Sequence, residues 1–84
     1  MIHELKILSK YYRLVELGIK TFEIRYDDRE YKVGDILILR EYHEGKYTGR
    51  QIIVEVIVII RNCIGVEKGY VILINEIKSY DKDE

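Results

Sequence analysis

From Ile2 to Leu8 the chain alternates, with His3, Leu5 and Ile7 on one face of an extended segment and Ile2, Glu4 and Lys6 on the other. That period of two predicts a first strand. The period then changes: Ser9 can cap a short helix over Lys10–Leu17, with Tyr11, Leu14 and Val15 on its apolar stripe and Lys10, Arg13 and Glu16 on its polar side. Gly18 ends it as a residue able to enter the left-handed region. A second strand follows over Lys20–Tyr26, where Phe22 and Ile24 share one face and Thr21, Glu23 and Arg25 the other. Asp27–Glu30 is a charged loop, and Val33-Gly34-Asp35 is turn chemistry that launches a third strand, Ile36–Tyr42. His43–Gly49 makes a hairpin connection to Ile52–Ile60, in which every residue except Glu55 is β-branched, so a central strand is favoured over a helix. After a turn over Asn62–Gly69, Tyr70–Ile74 forms the last strand, running on towards Ile77.

About five strands, mostly short loops and one early helix predict an α+β, mostly β domain. The expected form is a small, strongly curved antiparallel sheet or closed barrel with the helix plugging one end. Closure suits so β-branched a sheet, because open edges invite aggregation. At 84 residues, with 48% hydrophobic and 35% charged positions, residues 1–84 read as one globular domain.

Net charge is −1, too balanced for bulk electrostatics to drive the protein onto duplex DNA. Lys20, Arg25, Arg29, Arg40 and Arg50 nonetheless gather in the first fifty residues, and Asp81-Lys82-Asp83-Glu84 is an acidic tail expected to be solvated. One cysteine, Cys63, has no partner and no lysine- or histidine-rich surroundings, so it reads as inert packing. No cofactor motif, metal-ligand spacing, phosphate-binding glycine loop or Ser-His-Asp set occurs. Ile52–Ile60 falls well short of the roughly 20 residues a membrane-spanning helix needs. A cytoplasmic protein without cofactor, metal or membrane is the expectation.

Polar chemistry is densest in Gly18-Ile19-Lys20-Thr21-Phe22-Glu23-Ile24-Arg25. Residues two apart on a strand lie about 6–7 Å from each other, so a hydroxyl, a carboxylate and a guanidinium are displayed together with an ammonium at the entry. Such a face can bind a planar polar ligand, or it can be a solvated strand face with a cross-strand ion pair. His3 reads as a surface residue. Of the eight tyrosines, Tyr11 takes a helical core position, while Tyr42, Tyr47 and Tyr70 flank loops, where aromatics beside arginines can stack bases.

Gly18, Lys20, Glu23 and Arg25 match the G-x-K-x-x-E-x-R signature of ASCH domains, in the PUA-like superfamily of small β-barrels. His3–Leu8, Asp28-Arg29, Val33–Tyr42, Tyr47–Arg50 and Gly69–Leu73 resemble, in order, a compact ASCH-related family of bacteria and phages with no assigned function. The resemblance implies a cleft between helix and strands that binds RNA or modified nucleotides, with Lys20 and Arg25 facing phosphate or base acceptors and Glu23 accepting from an exocyclic amine. One branch of the superfamily hydrolyses N4-acetylcytidine with a lysine and a threonine. Here Lys20 stands at the lysine position, Glu23 at the threonine position, and Thr21 two residues earlier.

The leading expectation is therefore an RNA-binding or modified-nucleotide-binding module using Lys20, Thr21, Glu23 and Arg25, with Arg40, Tyr42 and Tyr70 as further contacts. The alternatives are an amidohydrolase acting on an N4-acylated cytidine or related amide, with Lys20 as base, Thr21 as nucleophile and Glu23 as proton shuttle, and a protein-interaction domain.

Overall fold

The computed structural model describes residues 1–80; the acidic run 81–84 lies outside them. The elements are β1 (Ile2–Leu8), α1 (Ser9–Glu16), β2 (Phe22–Tyr26), β3 (Ile36–His43), β4 (Lys46–Arg61) and β5 (Tyr70–Tyr80). All five strands form one curled sheet in the order β1-β3-β4-β5-β2. The α+β, mostly β architecture is as the sequence pattern indicates, with one correction. β1 runs parallel to β3, Ile2 opposite Ile36 through Leu8 opposite Tyr42, so the sheet is mixed rather than antiparallel throughout. The connection from β1 to β3 carries α1 and β2, long enough to return the chain to the end from which it started.

Alternate residues of each strand point inward. Leu5 and Ile7, Leu37 and Leu39, Ile52, Val54 and Val56, and Val71 and Leu73 are buried, and with Tyr12 and Val15 of α1 and with Tyr31 they make one core. The helix is turned by about one residue from the expected stripe: Tyr12 is fully buried while Tyr11 and Leu14 are exposed. A two-turn helix has room for one large side chain over the sheet, and Tyr12 fills it. Ser9 is not the cap. Leu8 holds that position without a side-chain bond, and the Ser9 hydroxyl donates to Glu41 Oε2 at 2.8 Å.

β4 extends beyond the apolar block because the hairpin turn is only Glu44-Gly45, both at positive φ as a tight two-residue turn requires. Gly49 lies inside β4 at φ 95°. Around it Tyr42 pairs with Tyr47 and Arg40 with Gln51, so Thr48, Gly49 and Arg50 together oppose Glu41 in a bulge.

β1 and β2 are the sheet's two edges. No backbone ladder joins them among the described residues; side chains cross the seam instead. Arg25 Nη2 donates to the Lys6 carbonyl at 2.7 Å, and Arg29 Nη1 donates to the Glu4 carbonyl at 3.1 Å.

Candidate functional site

The end of α1 fixes the approach to the site. Gly18, at φ 76°, lets its own N–H reach the Val15 carbonyl and the Ile19 N–H reach that of Leu14, each at 2.9 Å. This double closure satisfies carbonyls that a helix end leaves open. The Lys20 N–H also bonds the Leu14 carbonyl, at 3.0 Å, so the lysine leaves the helix in a fixed direction.

β2 then pairs antiparallel with β5, Glu23 opposite Leu73 and Arg25 opposite Val71. Leu73 and Val71 are core residues, and cross-strand partners share a face, so it is the charged face of β2 that turns inward. Glu23 is only 4% exposed, whereas Phe22 and Ile24 face out. The reading of this run as a solvated face is thereby excluded.

The buried Glu23 carboxylate is satisfied from both sides. Lys20 Nζ lies 2.6 Å from Oε2, and Arg25 donates to Oε1 from Nε (3.2 Å) and Nη2 (3.0 Å). Burial of an unpaired carboxylate would be costly, and the two cations remove that cost. They also leave the cluster one positive charge in excess. Lys20 uses its remaining capacity on the Phe22 carbonyl for one bond, leaving a third N–H, and Arg25 Nη1 makes no hydrogen bond among the described residues. The ammonium also lies 4.9 Å from the Phe22 ring centroid and 6.0 Å from that of Tyr11.

These groups line a cleft of about 430 Å³ at the β1–β2 seam together with Tyr11 and Phe22, with Ile7, Leu8 and Ile24, and with Lys6. Spare N–H donors, excess positive charge and aromatic side chains suit a flat ligand rich in acceptors. Glu23, with both oxygens engaged, orients the two cations.

The other residues singled out in the sequence lie elsewhere. Thr21 is exposed beside Phe22, Ile24, Ile72 and Ile74 in a shallow apolar hollow. Arg40 stacks on Tyr47 at 4.3 Å and pairs with Glu4 at 3.5 Å, while Tyr42 carries the Lys6 ammonium 4.3 Å above its ring. Tyr70 meets Tyr26 edge-on with centroids 5.5 Å apart. None of these four lines the cleft.

Two further buried carboxylates escaped the sequence reading. Glu41 accepts from Arg50 Nε (2.8 Å), Thr48 Oγ1 (2.7 Å) and Ser9 Oγ. The Arg50 guanidinium, with the two hydroxyls, outweighs burial and holds the Glu41 carboxyl at about 2, well below its ordinary value. His3 is buried, not at the surface: its Nε2 lies 2.8 Å from Asp35 Oδ2, and its ring packs on Tyr31 at 4.7 Å. Burial alone would push the Asp35 carboxyl up, but hydrogen bonds from His3, the Lys32 N–H and the Met1 amine bring it down to about 2. The alternation that puts His3 on the Leu5–Ile7 face was the available signal. Cys63 is half-buried beside the Ile64 carbonyl. Among the described residues no helix is long and apolar enough to cross a membrane.

A curled, mostly β sheet with one short helix is the class of fold in which this cleft is set. The chain belongs to the family described as Domain of unknown function (DUF3850), whose model matches residues 2–74 and so spans every cleft residue. It is also 49% identical over 51 residues to an "Uncharacterized 12.9 kDa protein in GpA 3'region" of Escherichia phage P2, a match covering 61% of this chain and 47% of that protein. The matched segment is thus about half the length of that relative.

Proposed function

We propose that the seam cleft binds a nucleotide unit of single-stranded or modified RNA, with Lys20 and Arg25 donating to phosphate or base acceptors, Glu23 holding those cations in place, and Tyr11 and Phe22 flanking a base. The observation that carries this reading is the inward charged face of β2, where a buried carboxylate with both oxygens engaged holds two cations with unspent N–H groups on the lining of a cleft that Tyr11 and Phe22 also line. The match of Gly18, Lys20, Glu23 and Arg25 to the ASCH signature supports it. A hydrolytic role would need a nucleophile beside Lys20, and Thr21 lies outside the cleft lining.

Fluorescence anisotropy with short RNAs, and thermal shift against nucleosides and nucleotides, test the proposal. Charge-assisted hydrogen bonds contribute about 1.5–3 kcal/mol each, so Lys20→Ala should weaken binding by roughly tenfold or more. Undiminished binding by the Lys20→Ala/Arg25→Ala double variant sinks it.

A further inference from the structure

With its charged face inward, β2 leaves its apolar face on the outside of the sheet, and its neighbours continue that face. Phe22 is opposite Ile74, which is opposite Val58; Ile24 is opposite Ile72, which is opposite Ile60; Tyr26 is opposite Tyr70. Cross-strand partners lie on the same face, and Ile72 and Ile74 alternate with the inward Val71, Leu73 and Asn75. Three strands thus present two complete apolar rows and a tyrosine pair. α1 packs Tyr12 and Val15 against the opposite, inward face.

We propose that this outer face of β2-β5-β4 is the interface of a homodimer, two copies packing it face to face. Phe22, Ile24, Tyr26, Val58 and Tyr70 are between 37% and 59% exposed, and the three isoleucines beside them are half-buried. With about 150–250 Å² per aromatic side chain, the exposed part of this face comes to roughly 500–700 Å². That is at or above the largest apolar patch of an ordinary monomer, about 300–600 Å². Two such faces together bury roughly 1,000–1,400 Å², reaching the range of specific interfaces.

Composition selects a second copy over a transient partner. The two rows contain no charged or polar side chain, as in homodimer interfaces, which are more apolar than the mixed surfaces of non-obligate complexes. Charge begins only at the border, where Lys78 bridges Glu55 at 3.1 Å and Glu76 at 3.3 Å. An apolar centre with a polar border is the anatomy of an interface.

Sedimentation equilibrium or light scattering on the full chain tests the inference. The expected mass at micromolar concentrations is twice the 10.1 kDa of one chain. Tyr26→Glu and, separately, Val58→Lys, both at exposed positions, should halve that mass while leaving the circular dichroism spectrum intact. Val33→Glu, exposed in a loop and in neither apolar row, should leave the dimer whole. A wild-type chain that stays at one protomer mass into the high micromolar range overturns the proposal. So does a dimer that both face variants leave undisturbed, since it would use another surface. Neither Tyr26 nor Val58 lines the cleft, so the outcome is independent of what the cleft binds.

Discussion

Glu41 and Glu23 occupy equivalent places, each at an inward position of a strand and each held by an arginine on the same sheet, yet their surroundings differ. Glu41 sits beneath α1, where Ser9, Thr48 and Arg50 close around it and Arg50 in turn lies 4.8 Å from the Tyr12 ring. Glu23 sits at the seam, with two cations instead of one and a cleft in front of them. The first set is enclosed and has no surplus cation, because Arg50 also lies 3.8 Å from Glu16, which is what a structural ion pair needs. The second carries surplus positive charge and spare donors on two residues that line the cleft, which is what a binding site needs.

Substitutions should separate the two roles. The largest effect is expected from Glu41→Ala, which removes the shared acceptor of Ser9, Thr48 and Arg50; breaking a buried pair from one side costs about 3–5 kcal/mol. For a domain of this size that lowers the melting temperature by roughly 12 °C or more, readable by circular dichroism. A Glu41→Ala protein melting like wild type would remove the contrast. Acid should act on the same group. The Glu41 carboxyl lies at about 2 against an ordinary 4.5, and that of Asp35 at about 2 against 3.8. A carboxyl depressed on folding contributes stability that is complete above its ordinary value and is lost as protons bind the folded state. Urea midpoints should therefore fall as pH drops from about 4.5 towards 2, and Glu41→Gln should flatten that slope.

Lys20→Ala should show the converse behaviour. Its melting temperature should fall by less than that of Glu41→Ala, since Arg25 still holds Glu23, while RNA affinity drops by an order of magnitude in anisotropy. The smallest effect is expected for Arg29→Ala, which removes one of the two seam bonds: about 0.5–1.5 kcal/mol in chemical denaturation. A larger loss there than for Glu41→Ala would mean that the seam, not the enclosed cluster, holds the domain together.

Strand positions were legible because alternation and β-branching mark them; β1 has the bounds its pattern predicts, and Gly18 ends α1 as its conformational freedom predicts. Direction was not. The pattern of Phe22 to Arg25 fixes that two faces exist, but choosing the inward one depends on Leu73 and Val71, some fifty residues away in sequence. The same limit hid Glu41 and Asp35, whose partners Arg50 and His3 come from other strands or from beyond a turn. The bulge at Gly49, which sets Thr48 and Arg50 against Glu41, looked like part of a longer loop because glycine spacing alone does not distinguish the two.

The arginines that cross the seam also protect the molecule from its own kind. An edge strand with open carbonyls is a template on which another chain can add a strand and begin a fibre. In β1 the carbonyls of Glu4 and Lys6 are already occupied by Arg29 and Arg25, so an incoming strand finds its acceptors taken and two positive charges in its path.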